Sequence, residues 1–364
     1  MKRLKVGLIG LGEVAEVHLE AYQKVKEIQV TAGAEIRKDR LSQISKKWEI
    51  EGYADYERML ESENLDIVCI LTPPGYRKSI TEKAAKFGCH VLSEKPMALN
   101  LDDARAMIEI CRESGVRLCY GASYRYLSAC QKAREMIGRG VLGDVRLLTE
   151  TFVGGQGLRS WRGLGADHYP AGGPGGGGMG LMDHGIHLVD AFRWFTGSEV
   201  ALVSGRGNYS GAEPAPEYLT MTFENGAIGQ LVYDEATYPA DLPSEGIYSW
   251  GGRWDHGGNL IPGGSWDPHP GCIRVHGTKA AMRVFYYANK LFLIGEEERQ
   301  VEVPNQPMPE NFALQMESFA RCVLRNEKLV ASGVEGYRAL QIVLAAYESC
   351  ETQRSIAIDR VVWG

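Results

Sequence analysis

The sequence predicts a doubly wound α/β domain at the N-terminus and a second domain of helices and strands behind it. Three observations predict this. The chain opens on a strand, a glycine turn and a helix between Leu4 and Tyr22. Short apolar runs then alternate with helical patterns as far as Ala122. At 364 residues the chain exceeds one ordinary domain, and the two domains are placed at 1–124 and 125–364.

The opening stretch, LKVGLIGLGEVAEVHLEAY, organises the first domain. Val6 to Ile9 is a short apolar strand, and Val14, Val17, His18 and Tyr22 recur at helical spacing. Between them lies Gly10-Leu11-Gly12-Glu13-Val14-Ala15. Gly10 permits the tight turn, Gly12 lets phosphate oxygens approach the backbone, and Ala15 lets the helix pack close to the strand. The N–H groups and positive dipole end of the new helix then face an anion. This order suits a dinucleotide pyrophosphate, so Gly10, Gly12, Glu13 and Val14 are candidate cofactor-binding residues. Ile28 to Ala34 is a second strand and ends at Glu35, 23 positions past Gly12. A carboxylate there accepts from both hydroxyls of the adenosine ribose and repels a 2′-phosphate, which favours NAD over NADP. Arg37 and Lys38 follow directly and could hold a 2′-phosphate, which keeps NADP open.

Arg40 to Trp48 and Tyr56 to Glu61 read as helices. Leu65 to Leu71 is a nearly continuous apolar run, as expected of a parallel strand covered on both faces. It ends in Thr72-Pro73-Pro74-Gly75, and prolines there shape the crevice in which open α/β sheets bind ligands. Thr72 and Pro73 join the cofactor candidates. Ser79 to Phe87 is helical, and His90 to Leu92 is a strand that ends in Ser93-Glu94-Lys95-Pro96. A lysine at that strand end lies near the nicotinamide if the first strand holds the pyrophosphate. Burial lowers an ammonium's pKa towards neutrality, so Lys95 is a candidate for hydroxyl proton transfer, with Glu94 beside it in the cofactor site. Leu101 to Ser114 has a helix start signal in Asn100, Asp102 and Asp103. Val116 to Ala122 closes the sheet, which is read as six strands although the apolar runs name five.

The bulk numbers narrow the function classes. Apolar content of 44% and charged content of 24% are those of a soluble globular protein. A net charge of −6 argues against nucleic acid or an anionic membrane as the main partner. MKRLKVGLIG has no sustained apolar core and no cleavage signal, and no run approaches the ~18 apolar residues of a membrane span. A cytoplasmic protein is expected. The eight cysteines form no CxxC pair and read as buried free thiols. Much of the glycine excess lies around 154–180 and 251–264, two segments that read as long functional loops.

GLIGLGEVA, the TPP after a buried strand, SEKPMALNLDDA and a later Asp183-His184-Gly185-Ile186-His187-Leu188-Val189-Asp190 resemble the glucose-fructose oxidoreductase / inositol dehydrogenase / MocA family, in the right order across nearly the whole chain. The resemblance implies a Rossmann domain followed by a domain with a large open, mostly antiparallel sheet that commonly mediates oligomerisation, here as a homodimer or homotetramer. It also implies NAD(P)-dependent oxidation or reduction of a sugar, cyclitol or related hydroxyl compound. One departure is Arg77, where the family often has a histidine; the basic residue could alter substrate or cofactor contacts or favour a substrate bearing a carboxylate.

In the second domain, Tyr124-Arg125-Tyr126 resembles the family's segment leading out of the first sheet towards the active site, and Arg125 is a candidate substrate contact. Leu127 to Arg139 reads as a helix and Val145 to Val153 as a strand. Trp161-Arg162 resembles a family pair near the nicotinamide end of the cofactor. The GGPGGGG run that follows is a loop, because glycine carries too much backbone entropy for an element interior. Met182 to Phe195 is a predicted helix on which Asp183 and His187, four apart, share a face. Beside Lys95 they could hold a substrate hydroxyl on both sides and relay its proton, and the resemblance assigns them the same role. Strands follow at 200–205, 217–223, 227–236, 272–276, 281–286, 290–294 and 299–303, with a hairpin turn at Glu224-Asn225-Gly226. The loop from Tyr238 to Pro270 carries Tyr248, Trp250, Trp254 and Trp266, suited to sugar stacking or to a subunit contact. Two amphipathic helices, Phe312 to Leu324 and Val334 to Cys350, cover a sheet.

The reading is an NAD(P)-dependent dehydrogenase acting on a CH–OH group of a small sugar-like or cyclitol molecule, with Lys95, His187 and Asp183 as catalytic residues and Lys95 also touching the cofactor. Alternatives are a non-catalytic NAD(P)-binding regulatory protein and a dihydrodiol or other hydroxy-compound dehydrogenase. A metal enzyme built on His168, Asp183, His184, His187, His256 or His269 would leave the dinucleotide motifs unexplained, and no metal is expected.

Overall fold

The structure is a computed structural model that describes residues 3–153, 180–207, 216–234, 247–249, 252–254, 260–261, 271–306, 309–361 and 363. The chain divides into two units, Met1–Tyr126 with Pro309–Leu340, and Leu127–Met308 with Gln341–Gly364.

The first unit is built on six parallel strands: β1 (Leu4–Ile9), β2 (Ile28–Ala34), β3 (Glu51–Tyr53), β4 (Ile67–Ile70), β5 (His90–Ser93) and β6 (Leu118–Tyr120). Their order is β3-β2-β1-β4-β5-β6, so the direction of winding reverses between β1 and β4. The strands named from apolar runs are all present. β3 carries no such run, since it is exposed at the sheet edge and pairs with β2 alone. Helices α1 (Glu13–Tyr22), α2 (Lys38–Trp48), α3 (Tyr56–Ser62), α4 (Arg77–Lys86) and α5 (Leu101–Glu113) connect the strands. Asn100 caps α5 as its sequence signal requires, accepting from the Asp103 N–H at 2.8 Å. The core is Val6, Leu8, Ile28, Ile67, Val68, Ile70, Val91 and Leu92, all buried. α1 buries Ala15, His18, Leu19 and Tyr22, while Val14 and Val17 stay half-buried.

The second unit contains α6 (Ser128–Gly138) and a nine-stranded sheet. Its strands are β7 (Val145–Val153), β8 (Val200–Gly207), β9 (Glu217–Phe223), β10 (Ile228–Asp234), β14 (Cys272–Gly277), β15 (Ala281–Phe285), β16 (Lys290–Ile294), β17 (Glu298–Val301) and β18 (Ile356–Ala357). The order is β17-β16-β15-β14-β7-β10-β9-β8-β18. Every pairing is antiparallel except β7 with β10. Side chains alternate between the faces with period two. Val203, Met221, Gly229, Leu148, Val275, Met282 and Leu293 form one registered row across seven strands, and all are buried. The next row, Leu202, Thr222, Ile228, Leu147, His276, Ala281 and Ile294, contains no buried residue. One face is therefore covered and the other open.

The segment expected as a loop from Tyr238 to Pro270 contains three short antiparallel strands, β11 (Ile247–Ser249), β12 (Gly252–Trp254) and β13 (Leu260–Ile261). The late helices are α8 (Glu310–Arg325) and α9 (Gly333–Thr352), the latter containing the boundary between the units. All eight cysteines are free thiols, seven of them buried. Among the described residues no helix is long and apolar enough to cross a membrane.

Candidate active site

At the carboxyl edge of the six-stranded sheet, Gly10 has φ +91°, a conformation that favours glycine. Space is tight too: a Cβ there would stand 3.0 Å from the Thr72 nitrogen. Leu71 and Thr72 thus bound the turn from beyond the end of β4. Gly12 opens α1 in extended conformation with no side-chain cap, and nothing lies within 4 Å of where its Cβ would be. The helix end is open to an approaching anion, with Glu13 exposed and Val14 half-buried at its mouth.

Glu35 is buried against this turn. Its Oε2 accepts the Leu11 N–H at 3.0 Å, and its Oε1 accepts the Arg37 N–H and Nε, both at 3.0 Å. Burial pushes its carboxyl up, but the Arg37 guanidinium and the backbone N–H groups hold it below the usual carboxylate range. Two residues here go unnoticed in the sequence. Arg40 donates to the carbonyls of Leu11 at 2.7 Å and Gly12 at 3.1 Å, and to Glu16 at 2.8 Å, so it braces the glycine turn from α2. Ile36 is 85% exposed beside Glu35, an apolar surface where a flat purine could rest. An isoleucine between two charged residues at a strand end was the available signal. The turn, the open helix end and the Glu35–Ile36 pair fit a dinucleotide.

The Ser93–Ala98 segment is buried except at Lys95, which is half-buried. The Lys95–Pro96 peptide is cis. Glu94 Oε2 accepts the Lys95 N–H at 3.0 Å, and Oε1 lies 3.1 Å from His18 Nε2. Arg77 does not offer its charge to solvent. It is buried, and its guanidinium donates to the carbonyls of Thr72, at 2.8 Å, and of Glu94 and Pro96. A substrate carboxylate is therefore not what this arginine is built to meet. Arg125 is also buried, in the 3₁₀ turn Ser123–Tyr126, and donates to the Val330 carbonyl at 2.8 Å.

In the second unit the predicted helix Met182–Phe195 is two elements. Gly180–Gly185 is π-wound, and α7 (Ile186–Thr196) continues from it. The wide turn is held by Glu217 on β9, whose Oε2 accepts the Leu181 N–H. A Cβ at Gly180 would collide with that carboxylate. From Gly180 to Arg193, Asp183 and His187 are the two residues that are not buried. His184 turns inward. Its Nε2 lies 3.3 Å from the Tyr286 hydroxyl and 3.8 Å from Glu150 Oε1, and Tyr286 donates to Glu150 at 2.9 Å. The signal for Glu150 is an acidic residue at the inward position of β7, two beyond buried Leu148. Asp190 and Arg193 are buried and face each other at 3.7 Å, with Arg193 also bonded to Glu199. Among the described residues no cluster could hold a metal ion. Trp161, Arg162, His168 and the GGPGGGG run lie outside the described residues, as do Trp250, His256, Trp266 and His269.

The family model of an NAD-binding Rossmann-fold oxidoreductase domain matches residues 4–122, and that of the same family's C-terminal alpha/beta domain matches residues 134–358. The chain belongs to the Gfo/Idh/MocA oxidoreductase family. Within it, the chain is 25% identical to a D-glucoside 3-dehydrogenase of Escherichia coli, covering 96% of each chain. It is 23% identical to a myo-inositol 2-dehydrogenase of Thermotoga maritima, over 99% of this chain and all of that one. A crystal structure of an Agrobacterium radiobacter oxidoreductase in complex with NAD+, L-tartaric acid and magnesium shares the fold, with TM-score 0.79, 20% identity and 98% of each chain covered.

Proposed function

We propose that this Gfo/Idh/MocA protein is an NAD-dependent dehydrogenase that moves a hydride between the nicotinamide and a secondary alcohol or ketone of a sugar, glycoside or cyclitol. The carrying observation is selective exposure: Lys95, and Asp183 with His187, are the half-buried residues of two otherwise buried segments. The glucoside and inositol dehydrogenases among the relatives support the substrate class. NAD, when bound, supplies the hydride acceptor. The Gly10–Gly12 turn and α1 hold its pyrophosphate and Glu35 its ribose, with Arg37 giving way to the diol. Thr72, Pro73, Glu94 and Lys95 edge the nicotinamide end, and Trp161 and Arg162 are further candidates there.

In this reading Lys95 and His187 meet one substrate hydroxyl from two sides. The proton leaves through that pair as the hydride departs from carbon, and Asp183 orients them. Orientation of the bound alcohol supplies much of the rate. The open face of the nine-stranded sheet is the proposed contact of a homodimer or homotetramer. The test is nicotinamide absorbance across a panel of glucosides, aldoses and inositols with NAD+ and NADP+. Lys95→Ala should cut turnover by at least about a hundredfold and still bind NADH. Full turnover in that variant would refute the assignment.

A further inference from the structure

The turn that carries Lys95 is held by Glu94 beside it and by side chains remote from it in sequence. Glu94, buried, places one oxygen on the Lys95 N–H and the other on His18. His18, fully buried on α1, has its second ring nitrogen 2.7 Å from the Tyr22 hydroxyl. The Phe312 ring of α8 packs against the imidazole at 4.7 Å. The Tyr22 hydroxyl lies 3.5 Å from Cys69 Sγ. Burial pushes Tyr22 well up and the Cys69 thiol up to about 12, so both hold their protons at neutral pH. From the other side Arg77 reaches the carbonyls of Glu94 and Pro96.

The Glu94–Lys95 peptide group therefore has both polar atoms taken by buried charged side chains. Its N–H goes to the Glu94 carboxylate and its C=O to the Arg77 guanidinium. Burying a carboxylate, an imidazole and a guanidinium around one turn costs far more than apolar packing unless every donor and acceptor is met. What these groups achieve, and leucines would not, is a fixed direction for the one side chain that leaves the turn. A displacement of about 1 Å at a reacting group can cost a hundredfold in rate.

We infer that His18 and Arg77 are positioning residues for Lys95. His18 acts by fixing the Glu94 carboxylate that holds the Lys95 N–H. Arg77 acts by holding the carbonyls before and after Lys95. The inference rests on the proposed role of Lys95.

The experiment compares His18→Leu, His18→Gln, Arg77→Met, Arg77→Lys and Lys95→Ala in the full-length protein. Turnover is measured with NAD+ and methyl glucoside or myo-inositol, NADH affinity by fluorescence, and folding by thermal melting. His18→Gln keeps a side-chain N–H for Glu94, and Arg77→Lys keeps a buried donor. The expected result is a fall in kcat of about tenfold or more in His18→Leu and Arg77→Met. NADH affinity should stay within about twofold of the parent. His18→Gln should recover most of the kcat, and Arg77→Lys part of it. Should either apolar variant fail to fold, the parent-to-conservative comparison decides: parental kcat in His18→Gln with a reduced kcat in Arg77→Lys supports the inference. Folded His18→Leu and Arg77→Met with parental kcat would overturn it, while an inactive Lys95→Ala left the functional reading standing. Parallel loss of kcat, NADH affinity and melting temperature, with no recovery in the conservative variants, would overturn it in favour of a purely structural role. A fully active Lys95→Ala would remove the functional reading and the inference together.

Discussion

Glu35 is the residue whose surroundings bear most directly on cofactor choice. Its carboxylate is ionised at neutral pH and already bonded to Leu11 and Arg37. A ribose diol can replace Arg37 at those oxygens, while a 2′-phosphate would meet the carboxylate's charge. Glu35→Ser should therefore weaken NADH binding by about tenfold or more, near 1.4 kcal/mol, and narrow the gap to NADPH; fluorescence titration of both cofactors checks this. Glu94 makes a prediction about pH. Burial raises its pKa, but His18, Arg77 and Lys95 together hold it below the ordinary value. A depressed folded pKa means the unfolded chain binds more protons. The stability Glu94 contributes is thus complete above the unfolded pKa of about 4.3 and is lost as pH falls through the lower folded value. Acid unfolding followed by circular dichroism should be less steep below that point in Glu94→Gln than in the parent. At this scale the sequence was informative about chemistry and silent about partners. Lys95 stands out in the sequence as a lysine at a strand end, and Asp183 and His187 as a pair four apart on one helix, and these readings enter the proposed function. That His18 meets Glu94 and that Arg40 braces Leu11 depend on contacts 76 and 29 positions apart.

Elements with a local signal came out as read. The Asn100 cap, the Asn225-Gly226 hairpin with Gly226 at φ +83°, and β2 at Ile28–Ala34 each depend on neighbouring residues only. The π-wound start of the segment that carries Asp183 and His187 did not. GLMDHGIHLVD carries an ordinary helical pattern, and nothing in it announces the wider turn or that Glu217, on another element, caps it by taking the Leu181 N–H. Gly180→Ala forces its methyl against that carboxylate. It should destabilise the fold by about 1–3 kcal/mol and lower activity beyond what the stability loss explains, since Asp183 would swing relative to His187. Urea unfolding and kcat on the same preparation test it. β3 and β18 escaped notice because strands of three and two residues carry no periodicity.

Across the whole molecule, the open face of the large sheet is the surface with most to explain. Leu202, 39% exposed, and Ile228, 43% exposed, flank Thr222 in one registered row. Exposed apolar side chains two strands apart on an uncovered sheet suit contact with a second copy. Leu202→Asp with Ile228→Asp should shift the protein towards monomer in light scattering at unchanged secondary structure. An unaltered mass would refute the proposed contact on this face.

The sequence by itself determined the two-domain order, the glycine turn and the acidic end of β2, and it singled out the lysine, aspartate and histidine of the proposed site. These are written in residue type and spacing along the chain, as with Asp183 and His187, where helix geometry alone sets which side chains share a face. Tertiary structure decided the parallel pairing of β7 with β10, the π turn, and the burial of Arg77 beneath the Lys95 turn. Those outcomes depend on which distant group satisfies a buried N–H, carbonyl or charge, and no local pattern carries that information.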